Sequence, residues 1–113
     1  MDRSAYVLLV RLVENPWRVG ELAEHLCLDV STVSRQVQAL EDRGLARREP
    51  HPTDRRGSVV VIAPQGREVV EQHRRAWRKI FAELLSDVST TDLETVASVL
   101  DRLGARIEDL AGA

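Results

Sequence analysis

Cysteine is nearly absent from this 113-residue sequence: Cys27 stands alone. No internal disulfide framework can form, and a reducing cytoplasm is the expected setting. Long apolar runs are missing too. The run Val59 to Ala63 is strand-sized and far below the roughly 18–20 residues that a membrane span needs. Met-Asp-Arg-Ser at the start leads straight into an amphipathic pattern, unlike a secretory leader. There is no Gly-rich phosphate loop, no nucleophile set beside a base and no metal-ligand spacing. An enzyme is therefore not expected, nor is a cofactor. Repeats and low-complexity tracts are absent. Lysine is reduced to Lys79, so the basic side chains are almost all arginine, whose planar fork suits phosphates and guanine edges.

What remains is 43% hydrophobic and 30% charged, the balance of a soluble globular protein with room for one main core. The net charge of −2 hides an asymmetry. From Ser31 to Ile80 there are 11 Arg/Lys against 6 Asp/Glu, a local balance of +5, and the rest of the chain carries −7. Such separation in a short chain points to a partner of one charge sign, such as nucleic acid.

Periodicity predicts a helix over Ser4–Glu14, broken by Asn15-Pro16, and a second over about Val19–Leu26 with Val19, Leu22, Ala23 and Leu26 on one face. Cys27 to Val30 is a turn. Ser31 is the expected N-cap of a third helix and Gly44 its C-terminal stop. Two short helices, a tight turn and a third helix make a helix-turn-helix. Ala46–Glu49 and Ser58–Ile62 then form a β-hairpin around the loop Pro50–Gly57, whose tip carries Arg55 and Arg56. Pro64 opens a long helix to about Leu85, and Ser89 with Asp92 caps a last helix reaching Leu110. Its apolar residues spread over more than one face, as burial against a partner subunit would require. The fold class expected is mainly α with a small β-hairpin. Residues 1–63 form a winged helix-turn-helix and 64–113 supply C-terminal dimerisation helices.

In the third helix Val30, Val33, Val37 and Leu40 are expected to dock inward. Ser31, Thr32, Arg35 and Gln38 face outward, with Ser34 and Gln36 at the flanks. Short hydroxyl residues allow close approach to a major groove, and Arg or Gln reaches base edges. A merely solvated face would more often carry Glu/Lys pairs four residues apart. Arg55 and Arg56 are placed to reach a minor groove or its phosphates. Asp54 would be repelled by phosphate, so it is read as wing support, paired with Arg47, Arg48 or Arg56.

From Val19 to Glu68 the sequence resembles the MarR family of bacterial regulators. The likeness is carried by Gly20–Ala23, Ser31–Arg35, Leu40–Arg48, then Asp54, Arg56, Ile62-Ala63 and Gly66. It implies a dimeric repressor whose recognition helices enter successive major grooves of a pseudo-palindromic operator. It further implies that Arg56 enters the flanking minor groove, that Asp54 supports the wing through a salt bridge, and that a small-molecule effector binds. Two features depart from the family pattern. Ala63 stands where a threonine caps the long helix, and a further family helix, ahead of the segment Ala5–Leu12, is not in this sequence.

Other readings are weaker. Cys27 as a redox switch competes with Cys27 as a small packing residue. His25, His51 and His73 with Cys27 match no common zinc spacing. Trp17 and Trp77 suit a core or interface, or the lining of an aromatic effector site. The rival function is a winged-helix protein-interaction or dimerisation module that does not bind DNA tightly.

Overall fold

The computed structural model describes Asp2 to Gly112. Its elements run α1 (Arg3–Glu14), α2 (Val19–Leu26), α3 (Val30–Asp42), β1 (Ala46–Pro50), β2 (Ser58–Ile62), α4 (Pro64–Leu84) and α5 (Thr90–Gly112). The chain divides into two compact units, Met1–Arg75 and Ala76–Ala113. The first turns of α4 belong to the first unit, where Gly66 and Val70 are buried. That unit therefore extends past the 63/64 boundary drawn from sequence.

Local chemistry sets each boundary in the first unit. The Asp2 carboxylate accepts from the Ala5 N–H at 2.8 Å and caps α1. Helix α2 stops at Cys27, a non-glycine residue in the left-handed region at φ 56°. The Cys27 N–H donates to the Glu24 carbonyl and the Leu28 N–H to the Ala23 carbonyl, the reciprocal pair of a Schellman ending. Cys27 is exposed, which corrects its reading as a packing residue: its backbone shapes the turn. Helix α3 ends the same way around Gly44 at φ 72°, with Gly44 N–H to Glu41 and Leu45 N–H to Leu40.

Two expectations for α3 are corrected. Its N-cap is Asp29, not Ser31, because the Val33 N–H already bonds the Asp29 carbonyl at 3.1 Å. Val30 then sits in the first turn and is 56% exposed, so it does not help dock the helix. Docking falls to Val33, Val37 and Leu40, all essentially buried.

Leu8, Leu9 and Leu12 of α1, Leu22 and Ala23 of α2, and the three α3 residues converge on one core with Leu45, Ala46, Val60, Ile62 and Val70. At about 25 cal/mol per Å² of apolar surface, each fully buried Leu contributes on the order of 2 kcal/mol. The hairpin pairs antiparallel from Ala46↔Ile62 to Pro50↔Ser58. It gains a third backbone partner from the α1–α2 connection. Trp17 donates its N–H to the Val60 carbonyl at 3.1 Å and accepts from the Val60 N–H at 2.7 Å. The Trp17 indole N–H bonds the Arg11 carbonyl, so this one residue ties β2 to α1.

In the second unit the Ser89 hydroxyl accepts from the Asp92 N–H at 3.1 Å and opens α5 as the capping pattern predicts. No described residue of α5 is buried.

Gly66 is fixed by close approach. A Cβ there would lie 2.2 Å from the Leu45 carbonyl oxygen and 2.8 Å from Ile62 Cγ1. The Leu45 oxygen already accepts from the Ala63 N–H, so it has little freedom to retreat. Gly66→Ala should therefore destabilise the chain by about 1–3 kcal/mol in urea unfolding. A midpoint equal to wild type would show that α4 can move off Leu45.

Candidate nucleic-acid interface

Helix α3 turns its apolar edge into the core, and this fixes which side chains face out. Ser31, Arg35, Gln38 and Ala39 are exposed, while Thr32, Ser34 and Gln36 are half-buried. Arg35 forms no ion pair or hydrogen bond among the described residues. Gln38 donates to the Asp42 carboxylate at 3.0 Å, which pre-orients its amide along the helix. Gln36 differs from its neighbours: its Oε1 is shielded from solvent and has no hydrogen-bond partner. The outward face is thus one free guanidinium, hydroxyl groups and an amide. A B-DNA major groove offers acceptors for such donors at guanine N7 and O6 and at adenine N7.

The wing loop is built by hydrogen bonds within itself. The His51 N–H donates to the Gly57 carbonyl and the Gly57 N–H to the Asp54 carbonyl, both at 3.1 Å. His51 Nδ1 accepts from the Asp54 N–H at 3.0 Å and the Thr53 N–H at 3.2 Å. Asp54 Oδ1 accepts from the Arg56 N–H at 3.0 Å. These bonds leave the Arg55 and Arg56 side chains exposed at the tip, with no partner among the described residues.

The arginines offered from sequence as partners of Asp54 are engaged differently. Arg47 pairs with Glu49 at 2.7 Å and Arg48 with Glu41 at 2.8 Å, the latter tying β1 to α3. Arg56 contributes only its backbone N–H. The side-chain partner of Asp54 is Arg18, at the N-cap of α2, whose Nη2 donates to Oδ2 at 3.0 Å. Sequence reasoning missed Arg18 altogether. A usable signal was present: arginine occupies a helix N-cap, where Ser, Thr, Asp or Asn is favoured, and it makes no side-chain cap bond there.

The three histidines are engaged separately. His25 lies against Trp17 with ring centroids 5.1 Å apart, His73 stacks on Tyr6 at 4.7 Å, and His51 organises the wing.

Helix-turn-helix, outward arginine and arginine-tipped hairpin together define a winged helix-turn-helix DNA-binding module. The chain matches the model of the MarR family over residues 2–58. It is 36% identical over 110 residues to the uncharacterized HTH-type transcriptional regulator YxaD of Bacillus subtilis (strain 168), covering 96% of this chain and 77% of that protein. The crystal structure of transcriptional regulator Tm0710 from Thermotoga maritima superposes with a TM-score of 0.73 at 28% identity, covering 99% of this chain and 80% of the other. A MarR family protein from Bacillus stearothermophilus reaches a TM-score of 0.85 at 22% identity, over 96% of this chain and 76% of its own, a likeness of fold. The chain belongs to the MarR family. It is a DNA-binding transcriptional regulator and not an enzyme. No helix among the described residues is long and apolar enough to cross a membrane.

The Asp54 carboxyl is held below its ordinary value of 3.8, first by the Arg56 N–H and then by Arg18. A depressed folded-state value means that the charged form's contribution is complete above 3.8 and is lost as pH falls through the lower folded value. The Arg56 amide resonance should therefore titrate with a midpoint below 3.8. A midpoint at or above 3.8 would show that the loop does not hold this carboxylate.

Proposed function

We propose that the chain is a sequence-specific, dimeric repressor acting in the cytoplasm on a pseudo-palindromic operator. Arg35, with Ser31, Thr32 and Gln38, reads base edges in the major groove, while Ser34 and Gln36 flank that contact beside the backbone. Arg55 and Arg56 engage the adjacent minor groove and its phosphates. The observation that carries this reading is the free Arg35 guanidinium on the exposed face of a helix whose opposite face is sealed in the core.

The second unit supports self-association. Leu84, Leu100 and Leu110 are 67%, 59% and 79% exposed, and Trp77, Phe81, Val96, Leu103 and Ile107 are exposed as well. Monomeric proteins rarely leave large contiguous apolar patches in water. A second copy presenting the same surface would give an isologous interface, and two-fold symmetry matches a palindromic site. The rival reading, a protein-interaction module without tight DNA binding, accounts for this apolar surface but leaves two sets of free arginines unexplained.

The test is to select duplexes from a randomised pool with the full chain and measure affinity for the winner. Arg35→Ala should weaken binding by about 1–3 kcal/mol and relax preference at one position per half-site. Equal loss on every duplex would make Arg35 a phosphate contact. Arg56→Ala should weaken binding and reduce the slope of affinity against salt by roughly one ion equivalent. An unchanged slope would remove Arg56 from the interface, and a chain that selects no duplex would favour the rival.

A further inference from the structure

The Trp17–Val60 pairing has a specific effect one residue further on. It lays the connection between α1 and α2 along β2, so that Arg18 emerges beside the base of the wing. From there Nη2 reaches Asp54 Oδ2 at 3.0 Å. Asp54 passes the connection on through its other oxygen, which holds the Arg56 N–H. Gly57 closes the arrangement. A Cβ at that position would lie 3.0 Å from Arg18 Nη1, 3.2 Å from Cζ and 3.3 Å from Nη2, so the guanidinium rests against the bare glycine. Glu21, the other acid near Arg18, stands 3.9 Å from Nε.

We infer that Arg18 is a positioning residue for DNA binding: through Asp54, and seated on Gly57, it orients the wing arginines relative to the recognition helix without itself touching DNA. This rests on the reading of Arg56 as a DNA contact. Three features point the same way. Arg18 takes a helix-cap position at which it forms no cap. Its charge is engaged by Asp54, the one acid of the wing loop Pro50–Gly57. The contact joins the start of α2 to the hairpin tip across 36 residues of sequence. Half-exposed pairs of this kind add little to global stability, so the effect of removing it should appear in operator affinity far more than in folding.

The experiment is a double-mutant cycle in the full chain on the selected duplex, with thermal unfolding measured alongside. Arg18→Gln should weaken binding roughly three- to ten-fold with nearly unchanged unfolding, and Arg18→Lys should recover part of the loss. In an Arg56→Ala background the same Arg18→Gln change should alter affinity by less than about two-fold. Gly57→Ala provides a second variant, because its methyl displaces only the flexible end of Arg18. It should reproduce the Arg18→Gln loss in a folded protein. Additive losses, with the salt slope falling by about one for Arg18→Gln alone, would make Arg18 a phosphate contact and overturn the inference. Wild-type affinity in both Arg18→Gln and Gly57→Ala would overturn it too. A wild-type affinity in Arg56→Ala would instead strike the wing reading on which it rests.

Discussion

Two backbone hydrogen bonds between Trp17 and Val60 join the helical and hairpin parts of the first unit. Helices α1, α2 and α3 could form a small cluster from their own leucines and valines, and β1 and β2 could pair on their own, but an isolated two-stranded hairpin is marginal in water. The Trp17 bridge gives the hairpin a further backbone partner, while Val60 and Ile62 insert into the helical core from the same strand. The direction of the hairpin relative to α3 is then set by packing. Arg48 to Glu41 on one side and Arg18 to Asp54 on the other add charged contacts to that arrangement. A DNA-binding reading needs such a connection, because a recognition helix and a wing must meet the duplex together.

The two compact units use apolar residues in opposite ways. In the first, Leu8, Leu9, Leu12, Leu22, Val33, Val37 and Leu40 of α1 to α3 are sealed, and Gly66 lets the start of α4 close over Leu45. The second exposes leucines, valines and aromatics along most of its length. This division matches a regulator that completes its second unit by association, as proposed above. The free arginines at α3 and the wing lie in the first unit.

Much of this organisation could be read from the residues, because the signals are local. Asn15-Pro16, Gly44, Pro64 and Ser89 mark element ends through backbone chemistry, and the spacing of Val33, Val37 and Leu40 determines which face of α3 turns outward. What escaped the sequence depends on distant partners. The Trp17–Val60 bridge uses backbone atoms that carry no side-chain signature. Proximity in sequence points Asp54 to nearby arginines, but Arg47 and Arg48 are engaged by Glu49 and Glu41, and its partner Arg18 lies on another element. Val30 looks like a core residue by hydrophobicity alone, but the helix begins two residues earlier than a Ser31 cap implies. The end of α2 after Leu26 was legible, but its left-handed form at Cys27 was not, because residues other than glycine and asparagine seldom fill that position.

The central claim is that one surface, made of the outward face of α3 and the arginine-tipped wing, contacts both grooves of a duplex. Methylation interference on a selected duplex tests it directly, since methyl groups at guanine N7 project into the major groove and those at adenine N3 into the minor groove. The account predicts interference at guanine N7 within each half-site, flanked by interference at adenine N3 where the wing lies. Interference in one groove only, or at neither position in a complex that still forms, would contradict it.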